Sequence, residues 1–244
     1  MRQLLPEPLD PVDPADVYAD LPSAEGRPAV RLTMVASVDG AATVGGVSGP
    51  LGGPGDHAAY LAMRAVADVV LVAAGTVRAE GYGPPVLPPT AVAARRARGQ
   101  EPLPRVAVVS RSLALDWDGP LFAAPTSRPF VITGEDAGSE ALERAADVAD
   151  VIVAGNGAVD LREALSALGQ TGAGAVLAEG GPGLNGQLAA AGLLDELCLT
   201  LGPLLVGGGA GRILSGAGPA PPSSLRLRSL CEEDEVLFLR LRPT

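Results

Sequence analysis

The segment AGAVLAEGGPGLN, residues 173–185, predicts a strand that turns through glycines into a helix. Ala173–Ala178 is short and apolar, which is typical of a strand buried on both faces of a parallel sheet. Glu179 and two glycines follow it. Pro182 then opens a helix predicted to reach about Ala191, since proline suits the first helical turn.

A second junction, VVLVAAGTV at residues 69–77, repeats this arrangement. At both junctions, free backbone N–H groups and the positive end of a helix dipole would face the same space, and glycine lets a ligand approach closely. The pair therefore indicates a pyrophosphate site, although glycine also ends strands for purely structural reasons. Neither junction matches G-x-G-x-x-G, which disfavours a standard dinucleotide fold.

Short apolar segments alternate with helical patterns along the rest of the chain. This alternation predicts an α/β fold with a mostly parallel central sheet flanked by helices. Near the C-terminus, Leu225–Leu230 and Glu235–Leu241 alternate apolar and polar residues, as in an antiparallel hairpin. The other predicted strands are Ala29–Ser37, Val69–Ala73, Arg105–Ser110, Pro129–Thr133, Asp150–Ala154 and Asp195–Leu201, and the other predicted helices begin near Asp56, Gly75, Ser139 and Asp160.

The length of 244 residues fits one globular domain. Residues 1–28 are rich in Asp and Pro and predict an extended arm lying on that domain, which spans 29–244. Pro84–Pro104 is predicted to be a loop with a basic centre, RRARG.

The N-terminus lacks the apolar region of a signal peptide, and no uninterrupted apolar run reaches the roughly 18 residues of a membrane span. We therefore expect a cytoplasmic protein with no membrane partner.

The charged and metal-binding residue types exclude several function classes. The net charge is −10, which argues against a nucleic-acid partner. All 18 basic residues are Arg, so the lysine of a phosphate loop and Schiff-base lysine chemistry are excluded. One histidine, His57, and two distant cysteines cannot build a zinc site, so no metal is expected. We expect His57 to be a surface residue and the cysteines to be core residues in a reducing compartment.

Four acidic residues, Asp39, Asp56, Glu80 and Glu179, lie at strand ends, helix starts or loops, where they can face a cleft. Asp56 is also explained as a helix N-cap and Glu80 as a solvated helix end. Glu179 differs, because a carboxylate at the end of an apolar strand is costly unless something binds it. Arg64 lies on the helix that begins near Asp56, where it either serves the cleft or forms a surface ion pair.

Four strings occur in the order and spacing of a known family: SVDGAAT at 37–43, MRAVADVVLVAAGTVRAE at 63–80, LAEGGPGLNGQL at 177–188 and LLDELCLTLGPLLVGG at 193–208. The chain resembles the reductase domain of the riboflavin-biosynthesis deaminase–reductases, and especially the stand-alone actinobacterial pyrimidine reductases. The resemblance implies a dihydrofolate-reductase-like fold, NADPH as cofactor and a homodimer. It also implies reduction of a ribosylamino-pyrimidine phosphate, in its diamino or aminouracil form, to the ribitylamino product. The H-x-E and P-C-x-x-C signature of the deaminase half does not occur, so the reductase activity alone is expected.

The resemblance also assigns site residues by position. The first cofactor-binding turn is Gly75, Thr76 and Val77. The second is Gly180, Gly181, Pro182, Leu184 and Asn185. Ser110 and Arg111 bind the adenosine 2′-phosphate, for which the planar guanidinium of arginine is suited. The substrate side comprises Ser37, Asp39, Asp56, Arg64, Glu80 and Glu179. Of these, Asp39 and Glu179 are the expected catalytic residues, and Asp56 matches the pterin-binding carboxylate of dihydrofolate reductases.

Two positions depart from the family. Thr33 stands where the bifunctional bacterial enzymes carry a lysine, and GYGPPVLPP after Glu80 lacks their phosphate-holding arginine. Either Arg64 holds the substrate phosphate alone or the substrate lacks one. Two alternative functions remain open at this point: a dihydrofolate- or pterin-type reductase, and an NADPH-binding protein without turnover.

Overall fold

The computed structural model describes residues 1–123 and 127–244, and within them ten strands form one sheet. The strand order is β1-β9-β10-β8-β2-β7-β3-β4-β5-β6. The strands are β1 (Arg2–Leu5), β2 (Ala29–Ser37), β3 (Val69–Ala73), β4 (Arg105–Val109), β5 (Phe130–Thr133), β6 (Asp150–Val153), β7 (Ala175–Ala178), β8 (Glu196–Gly202), β9 (Leu225–Glu233) and β10 (Val236–Pro243).

Seven neighbouring strands, from β8 through β2, β7, β3, β4 and β5 to β6, run parallel, as the sequence predicts. The central strands β3 and β7 are buried along almost their whole length, which explains their uninterrupted Val, Leu and Ala. In the register of the sheet, Val69 pairs with Val176 and Leu71 with Ala178. The two predicted junctions therefore lie on adjacent strands and leave the sheet at the same edge.

The antiparallel part of the sheet lies on its other side. β10 pairs antiparallel with both β8 and β9, and this confirms the predicted C-terminal hairpin. Asp234 and Glu235 at its turn have φ of 51° and 67°, the left-handed values that a two-residue hairpin turn requires.

Eight α-helices among the described residues cover both faces of the sheet, and Gly49–Leu51 forms a short 3-10 helix. Leu165, Leu168 and Leu188 pack on one face, against Leu71 and Val176. The opposite face is covered by the helix that carries Met63 and, further along, by the three helices that carry Ala74, Leu121 and Ala145. The helices are α1 (Pro14–Val17), α2 (Pro54–Val66), α3 (Ala74–Glu80), α4 (Pro89–Ala97), α5 (Pro120–Ala123), α6 (Ser139–Val148), α7 (Leu161–Gln170) and α8 (Pro182–Ala190). None in this described part of the chain is long and apolar enough to cross a membrane.

The segment predicted to be an extended arm, residues 1–28, contributes regular structure. Its strand β1 pairs with β9 at the edge of the sheet, and its short helix α1 buries Val17 and Tyr18 against the core. The segment therefore packs against the sheet, and it adds an edge strand that the prolines and aspartates of its sequence do not indicate.

The prediction of a loop over Pro84–Pro104 is wrong, because α4 occupies residues 89–97. Pro89 stands at the first helical position. Proline has no backbone N–H, but an N–H at this position would have no partner within the helix. Arg95 of the basic centre is buried, and its guanidinium donates to the carbonyl oxygens of Arg64, Ala65 and Ala67. It thereby satisfies the carbonyl groups at the end of α2, which have no partner within the helix.

A buried ion cluster joins β2, β8 and β10. The carboxylate of Glu196 is fully buried and accepts hydrogen bonds from Arg31 at 2.5 Å, Arg240 at 2.9 Å and Arg242 at 2.9 Å. Burial alone would raise the pKa of Glu196, but Arg31 and Arg240 outweigh it and lower the pKa. Arg240 also pairs with Asp20, so the cluster fixes the N-terminal segment to the sheet.

Candidate active site

Two adjoining cavities open at the carboxyl ends of β3, β4 and β7 and beside β2. This is the edge at which parallel sheets bind ligands. The first cavity has a volume of about 630 Å³ and the second about 610 Å³. The residues that line both are Met34, Ser48, Thr76, Glu80 and Glu179. The two cavities therefore adjoin along these five residues.

The two strand–glycine–helix junctions form the wall of the first cavity, as the sequence predicts. The N-terminus of α8 contributes free backbone N–H groups, and Arg111 contributes a guanidinium from the end of β4. Together these groups suit an anionic ligand. The predicted cofactor residues that line this cavity are Gly75, Thr76, Arg111, Gly180, Gly181, Pro182 and Leu184.

Close contact between the junctions accounts for the glycine at position 181. A Cβ atom on Gly181 would lie 2.9 Å from Oγ1 of Thr76, closer than side chains normally approach. Gly180 has φ of +100°, in the region that glycine adopts readily, and its peptide bond to Gly181 is cis. A Cβ on Gly75, in contrast, would meet no atom within 4 Å, which leaves space beside the backbone for a ligand.

Three predicted cofactor residues do not line the first cavity. Val77 packs against the core instead. Ser110 is buried, and its backbone N–H donates to the carbonyl of Ile132. Asn185 is also buried, and its side-chain amide donates to the carbonyl of Ile213 at 2.8 Å. These residues support the wall from behind.

A buried ion pair lies on the wall of the second cavity. Nε of Arg64 donates to Oε1 of Glu179 at 2.7 Å, and Nη2 donates to Oε2 at 2.8 Å. The two side chains are 9% and 5% exposed. The hydroxyls of Tyr60, at 3.1 Å, and Tyr82 also donate to Oε2, and Arg64 stacks over the Tyr60 ring at 4.3 Å. Oε1 thus has one bond and Oε2 three, which leaves Oε1 free to accept another.

The protonation of this cluster follows from its burial and charge. Burial raises the pKa of both Tyr60 and Tyr82, and the negative Glu179 raises it further. Burial acts to lower the pKa of Arg64, but the hydrogen bonds and charge of Glu179 outweigh it and raise the pKa. Both tyrosines therefore stay protonated as donors, and Arg64 stays charged.

Three of the residues predicted for the substrate side, Asp56, Arg64 and Glu80, line the second cavity. Asp56 is half-buried in the first turn of α2. Burial raises the pKa of its carboxyl group, and a hydrogen bond with Thr200 acts in the opposite direction. Gly52 makes room for this carboxylate, since a Cβ there would lie 2.4 Å from Oδ2 of Asp56. Asp56 is therefore not the N-cap of α2, a position that Gly53 occupies.

Ser37 and Asp39 are not among the described residues that line either cavity. The hydroxyl of Ser37 donates to Asp39, whose carboxylate also accepts from the backbone N–H groups of Val206 and Gly207. These bonds lower the pKa of Asp39 to about 2. The geometry gives Asp39 the role of holding the 204–207 loop, and it does not bring Asp39 to the predicted catalytic position.

The family follows from a match over most of the chain. Residues 28–239 match the family model described as the RibD C-terminal domain. This chain belongs to the RibD C-terminal domain family. Its relatives include a protein of Aquifex aeolicus named 2,5-diamino-6-ribosylamino-4(3H)-pyrimidinone 5′-phosphate reductase, 29% identical over 188 residues, which are 75% of this chain and 80% of the relative.

Solved structures confirm the fold expected for a RibD C-terminal domain. A pyrimidine reductase-like protein from Corynebacterium diphtheriae superposes with a TM-score of 0.82 at 29% identity, covering 96% of this chain and 99% of that one. A dihydrofolate reductase from Enterococcus faecalis superposes with a TM-score of 0.50 at 12% identity, covering 88% and 96%. The predicted dihydrofolate-reductase-like fold is therefore confirmed.

The sequence interpretation missed Tyr60 and Tyr82, which line the second cavity of this RibD C-terminal domain. His57 also lines this cavity, and it is exposed, as predicted. Asp56, Tyr60 and Arg64 are spaced by four residues, so they share one face of α2. That spacing is a signal that could have identified Tyr60. Tyr82 follows the left-handed Gly81 at the end of α3, and no comparable local pattern indicates it.

Proposed function

We propose that this chain is an NADPH-dependent oxidoreductase that reduces the ribosylamino group of a pyrimidine to a ribitylamino group. The substrate is 5-amino-6-(5-phosphoribosylamino)uracil or its 2,5-diamino-pyrimidinone analogue, and the Aquifex aeolicus relative is named for the 5′-phosphate of the second compound. The observation that carries the proposal is the meeting of the two cavities at Thr76, Glu80 and Glu179. One cavity suits a dinucleotide, and the other places polar side chains where a heterocycle with a sugar would lie.

The first cavity fits NADPH in the chemistry of its donors. The backbone N–H groups at the start of α8 would hold the pyrophosphate, and Arg111 would hold the 2′-phosphate. The space beside Gly75 allows a ligand to approach the backbone closely. When bound, NADPH supplies a hydride to the substrate.

The chain's own residues position the substrate and handle its protons. The ring-opened sugar presents an imine carbon, which must lie beside the first cavity, at Thr76 and Glu80. The free lone pair on Oε1 of Glu179 accepts a bond from a ring amino group, and Glu80 accepts bonds from ribose hydroxyls. Asp56, with its raised pKa, supplies the proton that the opening ring oxygen needs.

Arg64 acts through Glu179 in this scheme. Its bidentate pair and the two tyrosine hydroxyls fix the carboxylate in one orientation. We therefore propose Arg64, Tyr60 and Tyr82 as positioning residues. Asp39 takes a similar indirect role, because its carboxylate holds the 204–207 loop.

We further propose that the enzyme works in the cytoplasm as a homodimer, as in the family that the sequence resembles. Sedimentation velocity of the pure chain tests the dimer. A sedimentation coefficient of a monomer at micromolar concentration would contradict it.

A dihydrofolate- or pterin-type reductase is the second candidate. The half-buried carboxyl of Asp56 on the wall of the second cavity favours it, since a pterin ring presents paired nitrogen donors that such a group can bind. A protein that binds NADPH without turnover is the third candidate. It predicts that none of the candidate substrates is reduced.

NADPH oxidation by the pure chain separates these functions. We expect the ribosylamino-pyrimidine to be reduced and dihydrofolate, assayed in parallel, to be left unchanged. Glu179→Gln keeps the shape of the side chain and is expected to lower kcat more than ten-fold, about 1.4 kcal/mol in the barrier. Turnover of dihydrofolate alone would favour the second candidate, and NADPH binding without any turnover the third.

A further inference from the structure

One face of the antiparallel part of the sheet carries leucine at almost every position. In β8, buried and half-buried residues alternate, and the buried Cys198 packs with Met63 of α2. The half-buried residues of β8 point to the other face, because successive side chains of a strand alternate. The register of the sheet places three rows of leucines on that face, which we call the leucine face: Leu201 and Leu237, then Leu199, Leu239 and Leu230, then Leu197, Leu241 and Leu227.

No helix in the described part of the chain covers the leucine face. Leu32 of β2 lies on the same side of the sheet, since it pairs with Leu197, and it packs with Leu188 of α8. The helix layer ends there. Leu197 contacts that core at its edge, and the other leucines of the face are not among the described residues of the three buried cores. Leu227 is 39% exposed, so one copy of the chain leaves this apolar surface open to solvent.

The size and charge of the leucine face suit a protein interface. β8 and β10 have seven and eight residues, so three such strands present about 350 Å² in projection. Each partner of a standard interface buries about 800 Å², as an apolar core within a polar rim. The leucine face supplies such a core. At its edge the register places Arg2 and Glu232, which neutralise each other at 2.6 Å.

A second copy of this chain fits the leucine face better than other partners do. In a two-fold dimer one surface meets itself, so it must be complementary to itself. Rows of a single apolar residue type meet this condition, and two sheets pack face to face at about 10 Å through interdigitating side chains. A membrane surface is disfavoured, because the net charge is −10 and anionic lipids attract basic segments.

We propose that the leucine face is the interface of the homodimer, in which β8, β9 and β10 of one copy pack on the same strands of the other. The inference rests on the homodimer of the proposed function and specifies where its subunits meet. This interface lies beside the active site, because Met34, which lines both cavities, pairs with Leu199. Dimer formation thereby supports the strand that forms part of the cavity wall.

A charge at the centre of the leucine face tests the proposal. Leu239 has a leucine beside it on both neighbouring strands, so Leu239→Glu would bury one carboxylate from each copy in the dimer. We expect the dimer dissociation constant, measured by sedimentation equilibrium, to rise at least 100-fold. Val153→Glu, at an exposed position of β6 at the other end of the sheet, is the matched control and should leave this constant unchanged.

A milder variant keeps the test independent of a folding defect. Leu239→Thr combined with Leu241→Thr removes apolar surface, adds no charge and retains side chains that favour strands. We expect the dimer dissociation constant of this double variant to rise at least ten-fold. Circular dichroism of all the variants checks that they fold.

The outcomes separate the interface from the homodimer itself. A wild-type dimer that both leucine variants weaken supports the proposal. A wild-type dimer that neither variant weakens overturns the leucine face as the interface and leaves the homodimer intact. A wild-type monomer at micromolar concentration overturns both, and its flotation with vesicles of phosphatidylcholine and phosphatidylglycerol, lost in Leu239→Glu, would assign the face to a membrane instead. NADPH oxidation with the ribosylamino-pyrimidine tests the proposed reaction independently of all three.

Discussion

Removal of the Arg64 guanidinium should destabilise the fold as well as the site. Arg64→Met keeps much of the aliphatic volume, including the part that stacks on Tyr60, but leaves the carboxylate of Glu179 buried without its cation. Breaking a buried ion pair by removing one partner typically costs about 3–5 kcal/mol, because the remaining charge is desolvated and uncompensated. The two tyrosine hydroxyls still donate to Glu179, so we expect the lower end, about 3 kcal/mol.

Urea unfolding followed by circular dichroism measures this cost. For a chain of this size, about 3 kcal/mol corresponds to a fall in Tm of about 10 °C. The double variant Arg64→Met with Glu179→Gln removes both charges, and it should be more stable than the sum of the two single variants predicts. The coupling free energy in this cycle should exceed about 1 kcal/mol.

A small effect would refute the reasoning. Exposed ion pairs contribute about 0–1 kcal/mol. If Arg64→Met lowers the free energy of unfolding by less than about 1 kcal/mol, or if the double-variant cycle shows no coupling, then the pair is not held out of water and Arg64 does not position Glu179.

Three further variants test other parts of the structure. Gly186→Ala would place a Cβ 2.0 Å from the carbonyl oxygen of Ser215 and should cost about 1–3 kcal/mol of stability in urea unfolding; Gly183→Ala on the same helix, where the nearest atom lies at 4.0 Å, should cost nothing. Asp39→Asn should lower Tm at pH 7. The difference in Tm from the wild type should shrink as pH falls from about 4 towards 2, because Asp39, whose pKa is lowered, stabilises the fold only while its carboxyl group is ionised. Arg111→Ala should raise KM for NADPH at least ten-fold and leave KM for NADH nearly unchanged. Equal effects on the two cofactors would show that Arg111 does not bind the 2′-phosphate.

Features set by local pattern were predictable from the sequence. Both glycine junctions appear as a strand followed by a helix, and Gly75 and Gly180 line one cavity. The strand β3 passes directly into α3, whereas Glu179–Gly181 connect β7 to α8. Asp160 caps α7, as its position before an apolar helical face indicates. The spacing of hydrophobic and glycine residues carries this information, because it acts over only a few residues.

Features set by long-range pairing were not predictable. Arg95 has the sequence context of a solvated loop, and only the approach of α4 to the end of α2 makes it a buried cap. Asp39 and Glu179 look alike as carboxylates after strands, but tertiary contacts send one to a loop backbone and the other to Arg64. The partner of a charge depends on which distant segments meet, and one sequence does not specify that locally.

The order of strands in the sheet has a consequence for biosynthesis. β1, at Arg2–Leu5, pairs with β9, at Leu225–Glu233, which is far away in sequence. β2 likewise lies between β7 and β8, both from the final third of the chain. Pairing of segments so distant in sequence slows folding, since loop closure must precede any gain from contacts. A nascent chain emerging from the ribosome therefore keeps β2 without a partner until β7 has emerged, and β1 until β9 has emerged. The apolar β2 is the segment that a chaperone would have to shield during that interval.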